Sequence, residues 1–490
     1  MDRRVARLVS AARRRLHIDT RALAALRIAL GMLVVADLVL RARSLTAFYT
    51  DRGVLPREAF LGFADPLHPS LHFATGEAWM QGILFLVAAV LGLALLIGYR
   101  TTIATVGSWI LLVSLQNRMP MVLNSGDVLL RVLLFWAIFL PLGARWSVDA
   151  VQDGQRRDTI LSIAGVGLLL QAVLVYLVNA VFKLQGDIWL AGDALGYVFG
   201  LGQFTVLLGD LLAPYAWALW PIDYLWLTLL AGSWLLLVLP GRARTVLVGV
   251  FAAGHLGMAV TMQLGLFPFI SIASLLPFLP SSAWDRLEKR AERMTTNKPL
   301  ERLAGWLPTI SVGGGAPKVN QVRSVVVTIV PLVFIVLVVL WNIQYLGLEQ
   351  VAGQDVAPDV AEDVLHLTRM DQYWNMFAPD PLSVDGWLVA PGVLANGSRV
   401  DAFHGGSVEW DRPPDVSATF PSARWRKYIT RLWRYGSPHR DLFASYLCDR
   451  WNRRHDVRLR NVTAVYVEQP VRADGTHGST TRVELAQMDC

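Results

Sequence analysis

Three polar side chains near the end of one apolar run have the chemistry for proton transfer. Tyr176, Asn179 and Lys183 are spaced i, i+3 and i+7, so on a helix a phenol, an amide and an amine share one face. A lysine in an apolar pocket can be neutral and can then act as a general base. The alternative is that Lys183 only ends a membrane helix and reaches towards the head groups.

Two further groups of polar residues occupy other apolar runs. Asn124, Asp127 and Arg131 share a helix face, and the Asp127–Arg131 spacing suits an ion pair. His255 and Gln263 lie in or just after a later run. The alternatives are that Asp127 and Arg131 clamp two helices together, and that His255 is an interior histidine with its hydrogen bonds satisfied.

A fourth group, Asp37 with Asn117 and Arg118, lies at the ends of two more runs. Ionisable groups within membrane helices are costly and tend to line a cavity. We therefore predict that the four groups converge at one membrane depth and form a site. Its amides, phenol and imidazole would bind a polar head group, and its apolar walls would hold a lipid-like tail.

Metal and nucleotide motifs are missing from the sequence. It contains no histidines paired at i, i+4 around a glutamate, no CxxC and no glycine-rich phosphate loop between a strand and a helix. We predict a site without a metal.

The composition is that of a membrane protein. Of 490 residues, 54% are hydrophobic and 17% are charged, against about 25% charged residues in soluble domains. The net charge of +7 comes mainly from loops that flank apolar runs, where basic residues set orientation. We therefore predict no nucleic-acid partner.

The fold class predicted from the apolar runs is mainly α, a polytopic transmembrane helix bundle of about nine spans. The predicted spans are Leu23–Leu40, Gln81–Gly98, Ile103–Leu115, Val128–Leu142, Ile160–Phe182, Ala216–Leu239, Val246–Leu264, Phe267–Leu279 and Val325–Tyr345.

The distribution of loop charges predicts the orientation. A cytoplasmic N-terminus places the basic loops at Arg100, Arg145 and Arg242 inside, together with the Arg286–Arg323 segment. We predict a multi-pass protein of the cell membrane with a cytoplasmic N-terminus and an extracytoplasmic C-terminus.

Four parts follow along the chain: a transmembrane domain (1–280), a basic cytoplasmic linker (281–322) with a glycine-rich stretch at Gly313–Gly315, a last transmembrane helix (323–346) and a small extracytoplasmic α/β domain (347–490). In the last part, strands are predicted at Gly386–Pro391, Val462–Val467 and Thr480–Leu485, and helices near Pro421–Tyr435 and His439–Arg454.

Both cysteines, Cys448 and Cys490, lie in this C-terminal part. On an oxidising face of the membrane they would form a disulfide, and the alternative is two unpaired thiols.

Several stretches resemble a known family. The first 280 residues are similar to the membrane domain of vitamin K-dependent γ-glutamyl carboxylase and to its microbial relatives, the horizontally transferred transmembrane (HTTM) family. The C-terminal part resembles the ending of microbial members. The stretches that carry the resemblance are Asn124–Asp127 with Arg145–Asp149, Val175–Trp189, His255 with Met262–Ile270, Asp371–Pro379, Asp385–Trp387 and Tyr446–Cys448.

The resemblance implies a reaction. In the family, a lysine deprotonates a vitamin K-type hydroquinone (menaquinol in microbes), oxygen converts it into a strong base, and a glutamate carbanion takes up carbon dioxide. Lys183 falls on that lysine, and Asn124 and His255 become partners of the head group or substrate. Where the carboxylases carry a functional histidine, this chain has Asp127, which departs from the pattern.

The implied ligands are a membrane quinone and a peptide or protein on the outer face, with Asp127, Arg131, Tyr176, Asn179 and Gln263 binding quinone or substrate. Two non-catalytic readings stay open. One is a transporter, and the other is a binding or maturation scaffold whose C-terminal domain, with Trp425 and Trp451, recognises proteins.

Overall fold

The computed structural model describes residues 13, 15–61, 69–153, 158–292, 299–309, 317–347, 358–436 and 438–490, and the fold is mainly helical. The helices are α1 (Thr20–Ala42), α2 (Leu45–Tyr49), α3 (Arg57–Leu61), α4 (Ala78–Ile97), α5 (Thr101–Arg118), α6 (Ser125–Ile138), α7 (Val148–Asp153), α8 (Ile163–Lys183), α9 (Asp187–Ala191), α10 (Ala194–Gly200), α11 (Leu208–Leu212), α12 (Trp220–Ala231), α13 (Leu235–Val238), α14 (Gly241–Thr261), α15 (Phe267–Leu275), α16 (Ser281–Glu292), α17 (Pro299–Trp306), α18 (Pro317–Tyr345), α19 (Asp359–Leu367), α20 (Ala423–Tyr435) and α21 (His439–Asn452).

Several helices could span a membrane. Among the described residues, five have the length and composition for it: α1, α4, α8, α14 and the Gln321–Tyr345 part of α18. The pair Phe267–Phe278 and Ser281–Arg290 would be a sixth, but it bends by 109°. Where further spans are predicted, α5 and α6 are shorter or more polar, and α12 and α13 break one apolar run into pieces. The figure of nine spans stays a prediction.

In the bundle, α4, α5 and α6 pack against one another in sequence, and other helices pack on α8. Helix α1 lies on α4, α5 contacts both α4 and α6, and α12 and α18 both pack on α8. Gly31 lets α1 approach α4 closely, because a Cβ at Gly31 would lie 2.6 Å from the Leu96 nitrogen. The two-stranded pairing of β1 (Ile18–Asp19) with β2 (Thr159–Ile160) ties the start of α1 to the start of α8.

The C-terminal part is built around one long strand. The antiparallel sheet contains β3 (Val384–Val389), β4 (Pro391–Leu394), β5 (Arg399–Asp401), β6 (Leu459–Pro470) and β7 (Thr481–Asp489), and β6 pairs with β3, β4 and β7. Helix α21 packs against β6 and β7. Strands β3, β6 and β7 and helices α20 and α21 lie at the predicted places, whereas β4, β5 and α19 were not predicted. An extracytoplasmic position stays a prediction.

A disulfide joins Cys448 on α21 to Cys490 after β7, with the two Cα atoms 5.4 Å apart. It fastens the last strand of the sheet to the helix that covers it. The predicted glycine-rich stretch at Gly313–Gly315 lies outside the described residues, as do the arginines Arg3, Arg4 and Arg7 of the basic N-terminus.

Candidate functional site

The polar face of α8 is covered by an extended segment from the C-terminal part, residues 370–380. The Asn179 amide donates to the carbonyl oxygens of Trp374 (2.7 Å) and Met376 (3.0 Å). The Lys183 amine nitrogen donates to the Phe377 carbonyl oxygen at 3.1 Å. Two of the three predicted α8 residues are therefore bound to the backbone of one segment.

Lys183 is buried among neutral groups. Its side chain is 2% exposed, and its Nζ lies 3.3 Å from the centroid of the Trp189 ring. Among the described residues it forms no ion pair, and the carboxylates of Asp223 and Asp380 act on it only from a distance. A carbonyl oxygen and an aromatic face orient the amine without tying it to a carboxylate.

Tyr176 pairs with His255 deeper along α8. The phenol oxygen lies 3.0 Å from His255 Nε2, and aromatic rings of Trp226 and Phe267 border the imidazole. His255 Nδ1 is buried and has no hydrogen-bond partner among the described residues. Tyr176 and Lys183 are seven positions apart in the sequence, which is about 10 Å along a helix, so these two residues lie two turns apart on α8.

Asn124 starts helix α6. Its Oδ1 accepts hydrogen bonds from the backbone nitrogens of Gly126 (2.8 Å) and Asp127 (3.2 Å). The Asp127 carboxylate accepts one in return from the Asn124 nitrogen at 2.8 Å. This reciprocal pair is a capping box, which satisfies backbone groups that the helix itself leaves unpaired.

The predicted ion pair between Asp127 and Arg131 is wrong. The Asp127 carboxylate contacts Arg41 at 2.5 Å and Arg424 at 3.0 Å. Arg131 instead donates to Gln116 Oε1 at 2.5 Å and to the Asp371 carbonyl oxygen at 3.4 Å. The spacing along α6 would allow the pair, but guanidinium groups from two other helices bind the Asp127 carboxylate instead.

Four charged residues form a buried cluster, which we call the charge cluster: Asp37, Arg41, Asp127 and Arg424. Arg41 Nε lies 2.7 Å from the Asp37 carboxylate, and Arg424 also bonds Asp37. The Arg41 side chain is fully buried and those of Asp37 and Asp127 are each 4% exposed. Two positive and two negative charges balance, and they join α1, α6 and α20.

Gln263 contacts another arginine of α20, Arg426. Its carbonyl oxygen accepts a hydrogen bond from Arg426 at 2.7 Å, and the Arg426 guanidinium lies 3.6 Å from the centroid of the Phe204 ring. Burial lowers the pKa of the Arg426 guanidinium to about 9, against the opposing attraction of Tyr466 and Asp385. Gln263 Oε1 has no partner in the described part of the chain.

Several residues of the candidate site were not predicted from the sequence, because their contacts join segments that are far apart in the chain. Gln171 and Gln372 exchange two amide hydrogen bonds, at 2.6 and 3.0 Å. Trp189 Nε1 donates to the Phe377 carbonyl oxygen at 2.7 Å. The run Asp371–Pro379 is one of the stretches that resemble microbial members, but nothing in the sequence predicts that it packs on α8. Within the described residues, no three His, Cys, Asp or Glu side chains are grouped as a metal site would require.

The segment over α8 passes close to Gly186, which follows α8. A Cβ at Gly186 would lie 2.3 Å from the Pro379 carbonyl oxygen and 2.5 Å from Asp380 Oδ1. Because overpacking costs about 1–3 kcal/mol, Gly186→Ala is expected to loosen the segment and raise amide exchange in residues 371–380 about tenfold. Hydrogen–deuterium exchange mass spectrometry measures this.

Gly257→Ala is the matched control for that exchange experiment. A Cβ at Gly257 meets no heavy atom within 4 Å, so exchange in residues 371–380 should not change. Equal exchange in the wild type and in Gly186→Ala would contradict the close contact of the segment with α8.

The comparisons with known proteins agree with the resemblance. The HTTM domain family matches residues 16–284, more than half of the chain, and this range includes Asn124, Lys183 and His255. No curated protein matches the chain, and no solved structure matches it. The family predicted from the sequence is confirmed, and the chain belongs to the HTTM domain family.

Proposed function

We propose that the protein is an integral membrane enzyme of the vitamin K-dependent γ-carboxylase type, which uses a quinol and employs Lys183 as its general base. The observation that carries the proposal is the setting of Lys183, whose buried amine contacts a carbonyl oxygen and an aromatic ring and no described carboxylate. When this amine is neutral, its lone pair is free to take a proton from a bound hydroxyl group.

The surroundings of His255 suit a quinol head group. Aromatic rings border the imidazole, and its buried Nδ1 has no described partner, so one hydrogen bond to a ring hydroxyl is available. Tyr176 holds the opposite ring nitrogen and so fixes the orientation of His255. A bound hydroquinone would supply, together with oxygen, the base for proton removal from a glutamate side chain, with carbon dioxide as co-substrate.

The arrangement of the helix ends supports the proposed topology in the cell membrane. Asp37 lies near the end of α1, Asp127 near the beginning of α6 and Lys183 at the end of α8, and all three contact the C-terminal part of the chain. A cytoplasmic N-terminus would bring these ends to the outer face together with that part. The disulfide Cys448–Cys490 suits the same oxidising side. A peptide or protein substrate would approach from there.

A second candidate function is a binding or maturation scaffold without catalysis. One observation favours it: backbone carbonyl oxygens of residues 374–377 accept hydrogen bonds from Asn179 and Lys183. If this arrangement is permanent, Lys183 is a structural residue. The experiment that follows separates the two candidates.

We expect a quinone to co-purify with the full chain in nanodiscs made from native membranes, detected by mass spectrometry. His255→Leu removes the ring nitrogen that is proposed to bind the quinone. Because one buried hydrogen bond to the ligand is lost, the quinone content is expected to fall about tenfold. Tyr176→Phe should lower it less.

Tyr428→Phe is the matched control for the quinone measurement. It removes another buried phenol hydroxyl, on α20, and quinone content should equal that of the wild type. A folded wild-type protein that carries no quinone and binds no added menaquinol would exclude the enzyme and leave the scaffold.

A further inference from the structure

A cavity lies at the end of the bundle where α1 and α14 begin. Its volume is about 610 Å³, within the range of small-ligand sites. Lys183, in contrast, ends α8, and α8 begins beside this cavity through the β1–β2 pairing. The cavity is therefore separate from the proposed quinol site. Its lining includes Arg15, His17, Asp19, Pro240, Gly241 and Arg244.

The lining carries an excess of positive charge. Arg244 is held in place because its Nε donates to the Leu239 carbonyl oxygen (2.7 Å) and its Nη1 to the Arg15 carbonyl oxygen (3.1 Å). This bond to the Arg15 backbone brings the two arginines together at the cavity, and neither forms an ion pair with a described residue. The one carboxylate of the lining, Asp19, is bonded to Arg21 at 2.9 Å.

The start of α14 adds to this positive potential. Its N-cap is Pro240, which has no side-chain oxygen to accept hydrogen bonds from the first turn. A Cβ built on Gly241 would meet no heavy atom within 4 Å, so the backbone there faces open space. Free backbone N–H groups at a helix start attract anions, and here they border the same cavity as two guanidinium groups.

We propose that this cavity binds a phosphate group. Helices α1 and α14 both have the length and composition to span a membrane, so their starts lie at the level of the lipid phosphates. The phosphate could belong to the head group of an anionic lipid or be inorganic phosphate, since both present the same oxygens to Arg15, Arg244 and the first turn of α14.

Native mass spectrometry of the full chain tests the lipid. After purification in detergent and incubation with equal amounts of phosphatidylglycerol and phosphatidylcholine, the wild type should retain phosphatidylglycerol about tenfold more. Arg15→Gln should abolish this preference. Arg242→Gln is the matched control, because Arg242 is an exposed neighbour on the first turn of α14 that does not line the cavity, and the preference should persist.

Inorganic phosphate forms the second arm of the experiment. If the source is free phosphate, added phosphate should raise the unfolding temperature of the wild type and of Arg242→Gln but not of Arg15→Gln, with sodium chloride at equal ionic strength as reference. Either response, lost in Arg15→Gln, supports the site. Equal retention of both lipids together with no phosphate response, or responses that Arg15→Gln retains in full, would overturn it.

Discussion

Lys183→Ala is expected to lower quinol-dependent turnover by about 10²- to 10⁴-fold, the range that a positioned general base contributes. The proposal assigns proton removal from the quinol to this amine alone. Within the described part of the chain, no carboxylate forms an ion pair with it, and the charges of Asp223 and Asp380 act on it without a direct contact. Oxygen consumption and carbon dioxide incorporation with reduced menaquinone measure the loss.

The same substitution should leave the fold intact. After loss of the amine, the Phe377 carbonyl oxygen still accepts a hydrogen bond from Trp189 Nε1 at 2.7 Å, and the Asn179 bonds to the same segment remain. Lys289→Ala, at an exposed position of α16, controls for the loss of a lysine in general. Undiminished turnover in Lys183→Ala would exclude a catalytic lysine, whereas loss of the folded protein would instead indicate a structural one.

Much of the fold can be read from local patterns, because each signal lies within one segment. Long apolar runs predict α1, α4, α8, α14 and α18, and alternating residues predict the strands β3, β6 and β7. The broken stretch from α12 to α13 could not be predicted from hydropathy, since both pieces are apolar. In the structure α12 packs on α8 and α13 packs on α14, and these contacts between distant segments leave no trace in local hydropathy.

For the candidate site, too, the sequence shows only what is local. The helical spacing of Tyr176, Asn179 and Lys183 is local, and all three side chains are buried as expected. Their partners come from residues 371–380 and from α14, far away in the chain, and no pattern in the sequence specifies such pairings. Likewise, the spacing of Asp127 and Arg131 could not reveal that Arg41 and Arg424 compete for the carboxylate.

The charge cluster should respond strongly to the loss of one carboxylate. Asp127→Asn leaves Arg41 and Arg424 with Asp37 as their one carboxylate in the cluster, so a buried positive charge is left unbalanced. Breaking a buried ion pair in this way costs about 3–5 kcal/mol of the free energy of unfolding. The asparagine retains an oxygen that accepts the hydrogen bond from the Asn124 backbone N–H, so the cap of α6 is kept. Chemical denaturation in detergent micelles measures the change.

Asp158→Asn is the control for that loss. Its carboxylate pairs with Arg145 but is 88% exposed, and an exposed pair contributes at most about 1 kcal/mol. If both substitutions cost the same, the charge cluster does not hold the C-terminal part to the bundle.

Restoring the charge balance separates the electrostatic cost from a loss of packing. The double variant Asp127→Asn with Arg424→Met removes one negative and one positive charge, and the methionine keeps much of the arginine volume. Because Arg424 contacts both carboxylates, the two substitutions are coupled, and the double variant should be more stable than the sum of the single variants predicts by about 0.5–3 kcal/mol. Strictly additive losses would mean that Asp127 does not stabilise the protein as a counter-ion for Arg424.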